Sequence, residues 1–69
     1  MTLLDSFIRE NSIDVVELLR LTKLSEQHLA RLRDGRTEPS KHVAESIAAV
    51  CSWLAHRKVY VWEIFERLP

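Results

Sequence analysis

Glycine is almost missing from this chain: Gly35 stands alone among 69 residues, with only Pro39 and Pro69 beside it as strong chain-breakers. So few turn residues exclude a fold of short strands and hairpins. Cysteine is reduced to Cys51, which rules out an internal disulfide and points to a reducing compartment. No apolar run approaches the roughly 20 residues of a membrane span, and no signal-peptide pattern opens the sequence. A cytoplasmic protein with no membrane partner is expected. His28, His42, His56 and Cys51 lack the paired spacing of metal ligands, so surface and capping roles are expected for the histidines and no metal or cofactor. No Ser/His/Asp arrangement, carboxylate pair in a cleft or Gly-rich phosphate loop is visible, and an enzyme is not expected.

What is present is helix-forming. The runs between the few breakers are rich in Leu, Ala, Glu and Arg, and a 46% apolar share fits one core and no second. The expectation is all-α: a compact five-helix fold, with residues 1–69 as one domain. Thr2 and Asp5 form a capping pair for a first helix over 3–10, with Leu3, Leu4, Phe7 and Ile8 as its apolar stripe. Asp14 and Glu17 form a capping box for a second over about 14–22, where Ile13 can staple against Leu18 and Leu18, Leu19 and Leu21 are apolar. Ser25 caps a third over about 25–34, anchored by Leu29 and Leu32 and closed by Gly35. Ser40 caps a fourth reaching residue 54 or 55, with Val43, Ile47, Val50 and Leu54 as the core stripe and Ala44 and Ala48 permitting close helix contact. The last stretch, about 59–68, is apolar on nearly every side and is read as a fifth helix, because a lone strand would have no partner. Such a helix cannot hide all its faces in so small a chain, so Tyr60, Trp62, Phe65 and Leu68 are expected to contact a second copy. Cys51 reads as a small apolar residue of the fourth helix. Trp53 and Trp62 read as core or interface anchors, with stacking on bases the minor alternative.

The chain is organised around residues 14–40. Two short helices separated by a few residues must meet steeply, as in a helix-turn-helix, and the second would turn Glu26, Gln27, Arg31 and His28 outward. Charge follows the same division. Residues 1–19 set Arg9 against Asp5, Glu10, Asp14 and Glu17; residues 20–36 set Arg20, Lys23, Arg31, Arg33 and Arg36 against Glu26 and Asp34. The cationic excess is modest, so two chains per nucleic-acid site are expected rather than one. The competing reading is an ordinary bundle corner with a solvated face.

At Leu24, Ser25, Leu29, Ala30, Arg31, Leu32 and Gly35, followed by Pro39-Ser40 and Ile47-Ala48, the chain resembles the lambda-repressor-like, Cro-type helix-turn-helix family of small bacterial and phage regulators. The likeness runs from residue 3 to about 55. It departs from the family at Val15, where a phosphate-binding Gln often stands, and at Leu19, where a small residue lets the two helices approach. Lys23 takes the place of the turn glycine and Arg33 that of an acidic residue. Leu19 implies a wider or rotated helix pair.

The resemblance implies base contacts from Ser25, Glu26, Gln27 and Arg31 in the major groove of double-stranded DNA. It implies phosphate contacts from Arg36 and Thr37, with Arg20 and Lys23 as weaker candidates. The function so implied is a sequence-specific transcriptional regulator, a small repressor binding a palindromic operator as a homodimer near the nucleoid, with a regulatory protein as a further partner. The rival is a protein-interaction adaptor that keeps the fold without DNA, favoured by zero net charge, Glu26, Val15 and the apolar tail.

Overall fold

Four polar side chains set the helix starts in the computed structural model, which describes residues 2–66. Thr2 Oγ1 accepts the Asp5 N–H at 3.0 Å ahead of α1 (Leu3–Glu10). The Asp14 carboxylate takes the N–H groups of Val16 and Glu17 at 3.0 and 3.2 Å ahead of α2 (Val15–Thr22). Ser25 Oγ accepts from the His28 N–H at 3.0 Å to begin α3 (Glu26–Asp34), and Ser40 Oγ from the Val43 N–H at 3.2 Å to begin α4 (Lys41–Ala55). Each bond satisfies a donor that the first helical turn leaves over, and contributes about 1 kcal/mol. The reciprocal arm expected of Glu17 is not made among the described residues. Its carboxylate turns instead to Arg20, one turn further along α2.

The helix ends are as local as the starts, but they manage with one glycine. After α1, α3 and α4 the residue that follows the left-handed one reaches back five positions: the Ile13 N–H donates to Ile8 O, Arg36 to Arg31 O, and Arg57 to Ser52 O, at 2.9–3.2 Å. That closure requires a left-handed residue. Gly35 supplies it at φ 75° after α3, while Ser12 (φ 50°), His56 (φ 58°) and, after α2, Lys23 (φ 61°) adopt it without being glycine. At Gly35 a side chain is doubly unwelcome, because a Cβ there would lie 3.2 Å from Thr2 Cγ2.

All five helices share one core. α1 packs on α3 and α5, α2 packs on α4, and α4 also meets α5. Among the described residues there is no strand, and the molecule measures 26 × 22 × 22 Å. Ile13 and Leu18 are both buried in that core, flanking the Asp14 cap. Leu4, Phe7 and Ile8 fill the α1 side, whereas Leu3 is 39% exposed and lies off the stripe. On α4 the buried line is Ala44, Ile47, Ala48 and Cys51, with Val43, Val50 and Leu54 half-buried at its margins. The helix is therefore rotated from the expected stripe, because its small residues let neighbouring helices approach closely. No described helix is long and apolar enough to cross a membrane.

The final element differs most from expectation. α5 covers only Val61–Ile64, and Phe65 is already extended at φ −131°, ψ 125°. Phe65 is 8% exposed and Ile64 1%, so the chain turns inward there and buries both in its own core.

Candidate functional site

The segment α2, turn, α3 presents one polar face. Leu29 and Leu32 hold α3 from behind, while Ser25, Glu26, Gln27 and Arg31 are exposed. Gln27 and Arg31 lie four residues apart, hence one above the other on the same side of the helix. Among the described residues neither side chain is engaged by another protein group. Ser25 Oγ already accepts the His28 N–H, which leaves its hydroxyl proton free to donate outward. Glu26 stands apart from the Gln27–Arg31 row. With Val15, Val16, Leu19, Ala30 and Arg33 it lines a groove of about 200 Å³ between α2 and α3. α2 packs on α4, and Val16, which lines this groove, is 73% exposed.

The cations of this region divide into two groups. Arg20 forms two hydrogen bonds to Glu17, at 2.7 and 2.9 Å, which hold the Glu17 carboxyl below its ordinary value and push the arginine up. Arg33 donates from Nε to the Asp5 carboxylate at 2.8 Å and stands 2.7 Å from the same oxygen with Nη2. Arg36 is 79% exposed and only loosely paired, 3.9 Å from Asp34. Lys23 and Arg31 are exposed and have no carboxylate partner among the described residues. Thr37 is half-buried at the edge of a cleft of about 240 Å³ that also includes Leu32, Gly35, Pro39 and Phe65. Of the expected phosphate-binding set, Lys23 and Arg36 are therefore the readily available side chains, and Arg20 is committed to Glu17. The Asp5–Arg33 pair was not anticipated from the sequence, because α1 supplies its carboxylate.

Beyond α4 a second surface takes shape. Tyr60 and Trp62 are 50% and 67% exposed, and their rings stack at 5.7 Å with 8° between planes. The Lys58 ammonium lies over the Tyr60 ring at 5.5 Å. The backbone beneath is pinned on both sides. Ser52 Oγ accepts the Val59 N–H at 2.8 Å, and the Glu63 carboxylate accepts the Tyr60 N–H at 2.8 Å and the Arg57 guanidinium at 3.1 Å. The Tyr60 N–H, and then Arg57, hold the Glu63 carboxyl below its usual value. Phe65, expected on this outer face, has almost no surface left for a partner, and Leu68 lies outside the described residues. Trp53 on α4 is likewise exposed, at 66%. Cys51 is fully buried, and burial pushes its thiol up to about 11. Among the described residues no group of three or more His, Cys, Asp or Glu side chains could hold a metal ion.

Comparison with family models, with curated proteins and with solved structures finds no match to this chain.

Proposed function

We propose that the chain is a sequence-specific DNA-binding transcriptional regulator of the lambda-repressor-like type, a small non-catalytic repressor whose α3 enters the major groove. The observation that carries this reading is the pair Gln27 and Arg31, exposed one turn apart on a helix held from behind by Leu29 and Leu32. Gln27 suits a bidentate contact with adenine and Arg31 one with guanine, and Ser25 can donate beside them. Lys23 and Arg36 flank that face as phosphate contacts. With Arg20 and Arg33 held by carboxylates, one chain neutralises few phosphates, and two copies on a palindromic site supply the affinity that one lacks.

The test is selection of bound duplexes from a random DNA pool at near-physiological salt. A two-fold-symmetric site should be enriched. On that site Arg31→Ala should cost roughly 1–3 kcal/mol and relax preference at one base position, while Arg36→Ala should weaken all sequences alike and flatten the salt slope. If both substitutions leave affinity untouched, the docking is wrong. The adaptor reading is favoured by a specific observation, an exposed Glu26 beside Val16 that has no ion-pair partner among the described residues. It expects no enriched duplex, and function that survives charge reversal at Arg31 and Arg36 but is lost in Trp62→Ala.

A further inference from the structure

The groove between α2 and α3 combines aliphatic walls with an anionic rim. Val15, Val16 and Leu19 line it from α2, and Ala30 lines it from α3. Val16 leaves 73% of its surface in water. At the rim Glu26 is exposed and has no ion-pair partner among the described residues, and neither has Asp14 next to Val15. The arginines of the region are spent elsewhere: Arg33, which also lines the groove, is held by Asp5, and Arg20 on α2 is held by Glu17. Neither Gln27 nor Arg31 lines the groove, so it is a surface separate from the row proposed to read DNA.

We infer that this groove is a docking site for a basic amphipathic helix of another protein, which lays an aliphatic stripe on Val16 and Ala30 and sets a lysine or arginine against Glu26. The inference goes beyond the DNA reading and stands whether or not Gln27 and Arg31 contact bases. Size, backbone and charge together select the occupant. At about 200 Å³ the groove falls short of the roughly 300–1,000 Å³ of small-molecule pockets, so it suits a row of side chains carried on a larger body. That body must satisfy its own backbone. An extended segment would press N–H and C=O groups against aliphatic walls, where each unmade hydrogen bond costs about 1–3 kcal/mol, whereas a helix brings its bonds with it. Glu26, Ala30 and Arg33 recur at the spacing of one helix face, and the small Ala30 lets a further helix come close. Charge then fixes the sign. A phosphate backbone is repelled by Glu26 and Asp14, and a neutral or acidic helix would strip water from Glu26 without giving it a partner.

The test is a displayed library of helix-forming peptides of about 18 residues, with aliphatic side chains at i, i+3, i+4 and i+7 and random residues beside that stripe. It is sorted against the folded chain without DNA. An enriched family should carry Lys or Arg at a fixed place next to the stripe. Glu26→Lys should weaken that family about tenfold or more, and sorting against the Glu26→Lys chain should enrich Asp or Glu at the same place. Val16→Asp removes exposed apolar surface and puts an acid in the first turn of α2, where a helix favours one; it should abolish binding and leave helical content unchanged. Trp62→Ala should leave peptide binding as it is. No enriched family, or one indifferent to Glu26→Lys, would overturn the inference. So would binding that is lost in Trp62→Ala and kept in Val16→Asp, which would put the peptide on the Tyr60–Trp62 stack. Self-association of the free chain that Val16→Asp breaks would give the groove to a second copy instead, and the inference would fall.

Discussion

Asp5 and Arg33, 28 residues apart in sequence, are joined by a charged hydrogen bond of 2.8 Å that ties the first turn of α1 to the last turn of α3. The contact is reinforced by Thr2, whose hydroxyl donates to the Arg33 carbonyl at 2.7 Å while accepting the Asp5 N–H. Both charged side chains are largely covered, at 14% and 26% exposed, so the pair is screened less than a surface ion pair. It also takes Arg33 away from any nucleic acid.

Asp5→Asn should therefore destabilise the chain by about 1–2 kcal/mol, read from urea or thermal unfolding. Arg33→Ala should lower stability by a similar amount and leave duplex affinity unchanged in protein that is still folded. A loss of affinity in Arg33→Ala without a loss of stability would place this guanidinium on DNA instead.

Lys23 offers the opposite combination. A non-glycine residue in the left-handed region costs roughly 1–2 kcal/mol, and glycine recovers that at some cost in chain entropy. Lys23→Gly should raise stability by about 0.5–1 kcal/mol while weakening duplex binding and flattening its salt dependence. His56→Gly, at the equivalent position after α4, should stabilise without any effect on DNA.

The aromatic stack should respond to acid through Glu63. Its carboxyl is held below the ordinary value of 4.5, so the folded chain binds fewer protons there than the unfolded chain. The stabilisation is fully present above that ordinary value and is lost as pH falls through the depressed one. Trp62 fluorescence should change over that acidic window in the native chain, and the change should be missing in Glu63→Gln.

Cys51 should be chemically silent in the folded state. Its thiol is buried and held protonated up to about 11, so iodoacetamide at pH 8 should alkylate it only on global opening. Modification should then accelerate in step with unfolding as urea is added. Fast alkylation of the native chain would mean that α4 opens locally.

Four helices and their caps could be read from the sequence because the signals are local. Thr2, Asp14, Ser25 and Ser40 each satisfy N–H groups two or three residues ahead, whatever the rest of the chain does. What could not be read was decided by distant partners. Glu17 had two local choices, and Arg20 outcompeted the Asp14 N–H. Asp5 claimed Arg33 across the fold. The apolar tail looked like one long helix because its composition does not say which residues turn inward. The core had room for Ile64 and Phe65, and that ended α5 after Ile64. In the candidate site, the outward face of α3 followed from the Leu29–Leu32 spacing, but the division between free and committed cations did not.

The packing of α1 on α5 also governs how the chain comes to be folded. α1 is covered in part by α5, the last described helix, so its apolar side is closed fully only once that segment is in place. No leading portion can complete the core in advance. Unfolding of these helices should be a single all-or-none event. A nascent chain stalled before α5 would expose the apolar side of α1 to chaperones and proteases.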